Sequence, residues 1–133
     1  MERQLVRIRV CLAVVRAGKI LLVPHYHTDQ GEVQWNLPGG RVGFGESIRQ
    51  AAAREFHEEI GLVASVDHLL DVSEVILPER SWHTVTITFL GRVVGGQLRA
   101  EPEHPFGEKM PRWFSPEELR RVRYHPKESI DKP

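Results

Sequence analysis

The clearest order in this chain is where apolar and polar residues alternate and where they stop alternating. Leu5 to Val15 alternates at Val6, Ile8 and Val10 and then becomes continuously apolar, which predicts a strand that enters the core partway along its length. Ala17-Gly18 is turn-like, and Lys19 to Val23 (KILLV) completes a predicted hairpin. Pro24 to Val33 is polar and reads as a surface loop. Val63 to Leu77 is rich in Val, Ile and Leu with interspersed acids, the pattern of one bent strand or two short ones. Pro78-Glu79-Arg80-Ser81 is a turn, and His83 to Val94 alternates at Val85, Ile87 and Phe89 as a half-buried strand, closed by Gly95-Gly96. Gln97 to Gly107 is too proline-broken for a buried strand. Ser115-Pro116-Glu117-Glu118 opens a helix, with Ser as N-cap, Pro in the first turn and Glu118 placed for a capping box. Helices punctuating short strands predict an α/β sandwich around a mixed sheet in a single domain spanning residues 1–133.

One stretch breaks the pattern. Gly40 to Leu62 (GRVGFGESIRQAAAREFHEEIGL) begins as a glycine-rich loop and is expected to turn helical near Glu46, with Gly61 as the C-terminal stop. At about 100° per residue, Glu55, Glu58 and Glu59 fall on one side of that helix, and Glu59 lies within its apolar stripe. Like charges at i,i+3 and i,i+4 repel, and carboxylates near a helix C-terminus oppose its dipole. Arg54 reaches Glu58 but offsets only part of this. A solvated charged face fits poorly, because the carboxylates overlap the side that should be buried. A divalent cation resolves the conflict, since hard ions such as Mg²⁺ gather several oxygen ligands in a compact set.

Composition narrows the partners. Lys plus Arg and Asp plus Glu number 18 each, so no basic excess points to nucleic acid. Cys11 is the only cysteine, which excludes an intrachain disulfide and, in an apolar run, suggests a buried inert thiol. The N-terminal residues are charged throughout, unlike a secretory signal, and no stretch approaches the roughly 20 apolar residues of a membrane span. A cytoplasmic protein is the expectation. His25 and His27 sit two apart but lack neighbouring ligand types for zinc.

The segment with Gly40, Glu46 and Arg54-Glu55-Phe56-His57-Glu58-Glu59-Ile60-Gly61-Leu62 resembles the Nudix box of the Nudix hydrolases, with every glycine, glutamate and arginine at the required spacing. Phe56 stands where the family more often has an aliphatic residue, which bears on packing. Trp35-Asn36-Leu37-Pro38-Gly39-Gly40 is similar to the segment that leads into the box, and Lys109 to Phe114 resembles the family's final strand. The resemblance implies an α/β/α sandwich and a reaction, hydrolysis of a phosphoanhydride in a nucleoside diphosphate linked to another group. It also implies Mg²⁺, with Mn²⁺ as the alternative, held by Glu55, Glu58, Glu59 and the Gly40 carbonyl. Arg54 would orient a carboxylate, while Glu46 and Gly61 would support the loop and the helix end.

The general base by resemblance is a box glutamate such as Glu58 or a later loop acid, with Glu108 placed first and Glu103 second. Pro78 lies at an offset that the family associates with ADP-ribose, although a turn explains it equally. Trp35, Arg80 and Trp82 are candidate substrate contacts, and Trp82 and Phe44 could stack on a base or simply pack. The rival readings are a MutT-like nucleoside triphosphatase, a nucleotide-binding module with an idle box, and an RNA decapping enzyme, for which a basic surface is lacking. A homodimer is the oligomer suggested by family analogy. Arg120, Arg121 and Arg123 read as solvated cations near a helix end.

Overall fold

The computed structural model describes residues 4–26, 33–99, 101–104 and 107–125. Its centre is β1 (Val6–Arg16), hydrogen-bonded in parallel to β6 (Trp82–Gly96) and antiparallel to two strands on its other edge. Those two are β2 (Lys19–Tyr26), which pairs near the end of β1, and β4 (Gly39–Arg41), which pairs with Arg9 to Cys11. The main path of the sheet runs β10-β3-β2-β1-β6-β5, with β3 at Val33–Asn36, β5 at Leu62–Leu77 and the short β10 at Tyr124–His125. A strand at Arg112–Phe114 (β9) pairs with β2, and β7 (Glu101–His104) pairs with β8 (Gly107–Lys109) as a separate ribbon.

The sheet is buried on both faces at its centre. Val10, Leu12 and Val14 face helix α1 (Ile48–Ile60), joining Leu21, Val23, Phe89 and the helix residues Ala51, Ala52, Phe56 and Ile60 in one core. Cys11 and Ala13 point the other way, packing with Ile20, Leu22, Leu37, Phe114 and Leu119, the last from the short helix α2 (Pro116–Leu119). This two-sided burial is why the run from Val10 to Val14 abandons alternation. Phe56 is fully buried, so the aromatic ring fills the first core; burying such a side chain is worth about 1.5–3 kcal/mol.

The structure meets some local expectations and changes others. The β1–β2 turn is a two-residue hairpin, with Ala17 and Gly18 at φ of 52° and 77° as the twist of the flanking strands requires. β2 continues through Pro24 and His25 to Tyr26, where a loop was expected, because β3 offers it a partner strand. Val63 to Leu77 is one strand, β5, bent by register shifts between Val63 and Asp71. The proline-broken segment contributes β7 and, at Gly107, the start of β8, a two-stranded ribbon apart from the main sheet. No helix among the described residues is long and apolar enough to cross a membrane.

Candidate functional site

Helix α1 starts later than the sequence pattern suggests. Ser47 is the N-cap: its hydroxyl accepts from Gln50 N, while the Gln50 side chain accepts from Ser47 N. That reciprocal Ser-x-x-Gln signal was present in the sequence and outranks Glu46 as a helix start. Glu46 instead remains in the loop, where its Oε1 accepts from Gly43 N at 2.9 Å. At the other end Gly61 adopts φ 86° and donates its N–H to His57 O at 2.8 Å, as a glycine stop should.

Arg54 is the charge centre of the loop and helix. Its Nε donates to Glu46 Oε2 at 2.6 Å and its Nη2 to Glu46 Oε1 at 2.9 Å. Nη1 reaches Glu55 Oε1 at 3.0 Å and Glu58 Oε2 at 3.2 Å, and Nη2 also donates to the Arg41 carbonyl. Arg54 thus reaches Glu46 and Glu55 as well as the expected Glu58, and its single charge still offsets only part of the repulsion, with Glu59 bonded elsewhere. A planar guanidinium carries five donors, enough to serve three carboxylates at once. The paired guanidinium and the Gly43 amide together lower the Glu46 pKa to about 2, and the bonds to Glu46, Glu55 and Glu58 raise that of Arg54.

Glu59 is held separately: its Oε1 accepts from Gly39 N at 3.1 Å. Glycine is required on this side because of close approach. A Cβ on Gly40 would lie 2.7 Å from Glu55 Oε1, and one on Gly39 would strike the Val10 carbonyl and come 2.9 Å from Cys11 Cα. The glycine pair thus lets β4 lie flat on β1 and lets two box carboxylates rest against bare backbone. The three helix carboxylates differ in access, Glu55 being mostly covered and Glu58 exposed.

Among the described residues no three acidic, His or Cys side chains converge on one ion-sized position. Arg54 stands between Glu55 and Glu58, and Glu59 is turned to the Gly39 amide. The donor chemistry nevertheless suits a hard divalent cation, because the available groups are carboxylate and backbone oxygens around a loop of glycines. Arg99, which sequence reasoning missed, donates through Nη2 to the His57 and Glu58 carbonyls. It places a cation at the negative end of α1 and so offsets the cost of acids there. Spacing could not reveal this contact, since it spans about forty residues and depends on how β6 returns the chain.

The remaining candidates are more dispersed. Trp35 packs edge-on against Phe114, with centroids 4.8 Å apart, at the border of the second core. Trp82 lies at the start of β6 under the Arg7 guanidinium, 4.3 Å from its centroid. Arg80 is exposed in a 3-10 turn that begins at Pro78, and Phe44 is fully exposed at the loop tip. Pro78, Ser81, Trp82 and His83 line an open cavity of about 230 Å³ with Leu5 and Val6. Glu103 and Glu108 fall on the backbone of β7 and β8, while their side chains lie outside the described residues. His25 lies in β2 opposite Gln34, and His27 is also outside the described residues. Cys11 is buried, which pushes its thiol up to about 12; Arg9 works against that shift and Glu59 adds to it.

A glycine loop bearing Glu46, turning into a helix with three spaced glutamates and an arginine beside a mixed sheet, is the arrangement of a hydrolase family. Residues 5–132 match the model of the NUDIX domain, and the chain belongs to the Nudix hydrolases. It is 31% identical over 112 residues to the phosphatase NudJ of Escherichia coli K12, covering 84% of this chain and 70% of that protein. Its fold is shared with a Nudix hydrolase from Nitrosomonas europaea at TM-score 0.76 and 24% identity, over 94% of this chain and 84% of the other. A MutT Nudix hydrolase from Burkholderia pseudomallei aligns at TM-score 0.69 and 27% identity, over 96% and 98%.

Proposed function

We propose that this enzyme is a cytoplasmic single-domain pyrophosphohydrolase dependent on Mg²⁺ or Mn²⁺, acting on a nucleoside diphosphate linked to a second group. The observation that carries the reading is the clustering of Glu46, Glu55 and Glu58 on Arg54, with Glu59 beside them on the Gly39 amide. Clustered carboxylates of this kind have no packing purpose, and Nudix hydrolases in general use a divalent metal.

Glu55, Glu58, Glu59 and the Gly40 carbonyl would hold the ion. When bound, it would screen the diphosphate oxygens and lower the pKa of a coordinated water. Arg54 positions Glu55 and Glu58 by direct hydrogen bonds, and Glu46 anchors Arg54 in turn. Glu58, the most exposed of the three helix acids, is the box candidate to take a proton from the attacking water; Glu108 is the candidate from the β7–β8 ribbon. Catalysis on this view is positioning and electrostatics.

For substrate, the turn at Pro78 tilts the reading towards ADP-ribose or a nucleotide sugar, with Trp35, Arg80 and Trp82 as contacts. A MutT-like action on nucleoside triphosphates is the second reading, and Arg7 and Arg9 of β1, which have no acid partner among the described residues, favour it. A homodimer is the proposed assembly: Val6, Ile8, Val72 and Ile76 are exposed on one face of the sheet beyond α1.

The test is turnover of a panel of nucleotide sugars, dinucleotides and nucleoside triphosphates with and without Mg²⁺. Metal-dependent release of a nucleotide is expected with at least one of them. A chain that binds nucleotides but hydrolyses none would instead be a sensing module. Glu59→Gln is expected to lower kcat at least a hundredfold while the protein remains folded by circular dichroism, and a near-wild-type rate would remove Glu59 from the site.

A further inference from the structure

Four buried side-chain polar atoms lack a hydrogen-bond partner among the described residues: Arg7 Nη1, Asn36 Oδ1, Thr84 Oγ1 and Thr88 Oγ1. Three of them lie on one face of two neighbouring strands. In the parallel β1–β6 ladder Arg7 stands beside Thr84, Arg9 beside Thr86 and Cys11 beside Thr88, so all six side chains leave the sheet on the side opposite α1. Folded proteins leave few buried polar groups unsatisfied, and a guanidinium cannot shed its charge to relieve the cost. Three such atoms on one face leave hydrogen-bonding capacity there unused within the protein.

The face leads away from the catalytic loop. Cys11 pairs with Gly39, whose amide holds Glu59, and Arg9 pairs with Arg41 in the same β1–β4 ladder, so the arginine row begins beside the strand that carries the glycine pair. Along β1, Arg9 lies roughly 7 Å and Arg7 roughly 13 Å beyond Cys11, two and four residues at the rise of a strand. Neither arginine has an acid partner among the described residues, and Arg7 is steadied by stacking over Trp82. Strand pairing also brings an acid to this face, Asp71 opposite Thr88, which has an interaction of its own. Two fork-shaped cations in line, floored by threonine hydroxyls, suit phosphate oxygens better than a neutral sugar.

The geometry points to Arg9 and Arg7 as specificity-determining residues that form an anion track for the phosphates of the substrate lying beyond the cleaved bond. This rests on the hydrolase reading above for its substrate, but its test does not require turnover. Inorganic tripolyphosphate is titrated calorimetrically into the whole protein in the presence of EDTA, which removes any route through a metal. Binding is expected, with Arg9→Gln and Arg7→Gln each weakening it at least tenfold and Arg9→Lys and Arg7→Lys weakening it less than the matching glutamine variants, because a lysine keeps the charge but not the planar fork. Circular dichroism confirms that the variants are folded. Absence of binding to the wild-type protein, or equal binding by both glutamine variants, overturns the proposal.

Steady-state kinetics provide the second arm. Arg9→Gln is expected to raise KM at least tenfold for a nucleoside triphosphate, with kcat changed less than threefold, and tripolyphosphate should compete with that substrate. Non-competitive inhibition would make the track an effector site and overturn its role in substrate choice. If no substrate is turned over while tripolyphosphate still binds through the arginines, the hydrolase reading fails and the track stands.

Discussion

Glu55 rests against the bare Cα of Gly40, so close that a Cβ at that position would lie 2.7 Å from Glu55 Oε1. One residue earlier, the atoms that a Cβ would meet belong to the backbone of Val10 and Cys11. The two adjacent glycines therefore guard different things, the first the strand pairing and the second the position of a carboxylate. Gly40→Ala is expected to cost only about 1 kcal/mol of stability, because the flexible end of Glu55 can swing aside. Its activity is expected to drop at least tenfold as Glu55 is displaced. Gly39→Ala should destabilise by more than about 2 kcal/mol, because backbone cannot yield. Thermal unfolding and initial rates measured on both variants check the pair, and a Gly40→Ala enzyme with normal rates would contradict the assigned position of Glu55.

The ion pair between Glu46 and Arg54 gives stability a specific pH dependence. The folded-state pKa of Glu46 is lowered from 4.5 to about 2 by Arg54 and the Gly43 amide. Its contribution is therefore fully present above about pH 4.5 and is lost as pH falls towards 2. Urea unfolding of wild type and Glu46→Gln across that range should show curves that converge on acidification. A constant offset down to pH 2 would mean that the carboxylate charge is not what matters.

Arg99 holds the last carbonyls of α1, so its removal should loosen the turn that carries Glu58 and Glu59. Arg99→Gln is expected to cost about 0.5–1 kcal/mol, with the loss reduced in high salt. Amide hydrogen exchange would localise the effect to residues 57–61, and uniform exchange changes across the chain would argue for a different cause.

Ala17 occupies a left-handed conformation at φ 52°, which disfavours residues with a Cβ but is best tolerated by Gly and Asn. Ala17→Asn should supply the favoured Asn-Gly pair of a two-residue hairpin and stabilise the protein by about 0.5–1 kcal/mol. Catalytic rates should not change, as the turn lies at the end of β1 away from β4. A lower midpoint in urea unfolding would contradict this turn geometry.

Much of the site was legible in the sequence because its signals are local. Spacing alone put Glu55, Glu58 and Glu59 on one side of a helix, and Gly61 marked its end. The lateness of the helix start was legible too, in Ser47 and Gln50, but the acid at Glu46 competed with it. What Arg54 would bind was only partly visible, since Glu58 is one turn away while Glu46 is reached only when the loop folds back.

The order of apolar and polar residues, with the capping signals, determined β1, the first hairpin, β6 and the two helices, and the motif from Gly40 to Leu62 carried the resemblance to the family, because each depends on contacts within a few residues or on a contiguous motif. Tertiary structure alone decided that β1 runs parallel to β6, that Gly39 and Gly40 lie against Glu59 and Glu55, that Arg99 closes α1, and that Arg7 and Arg9 share a face with Thr84 and Thr88. These relationships join residues distant in the chain, and no periodicity encodes them. They arise because burying both faces of the central strand leaves few ways to bring the remaining strands alongside it.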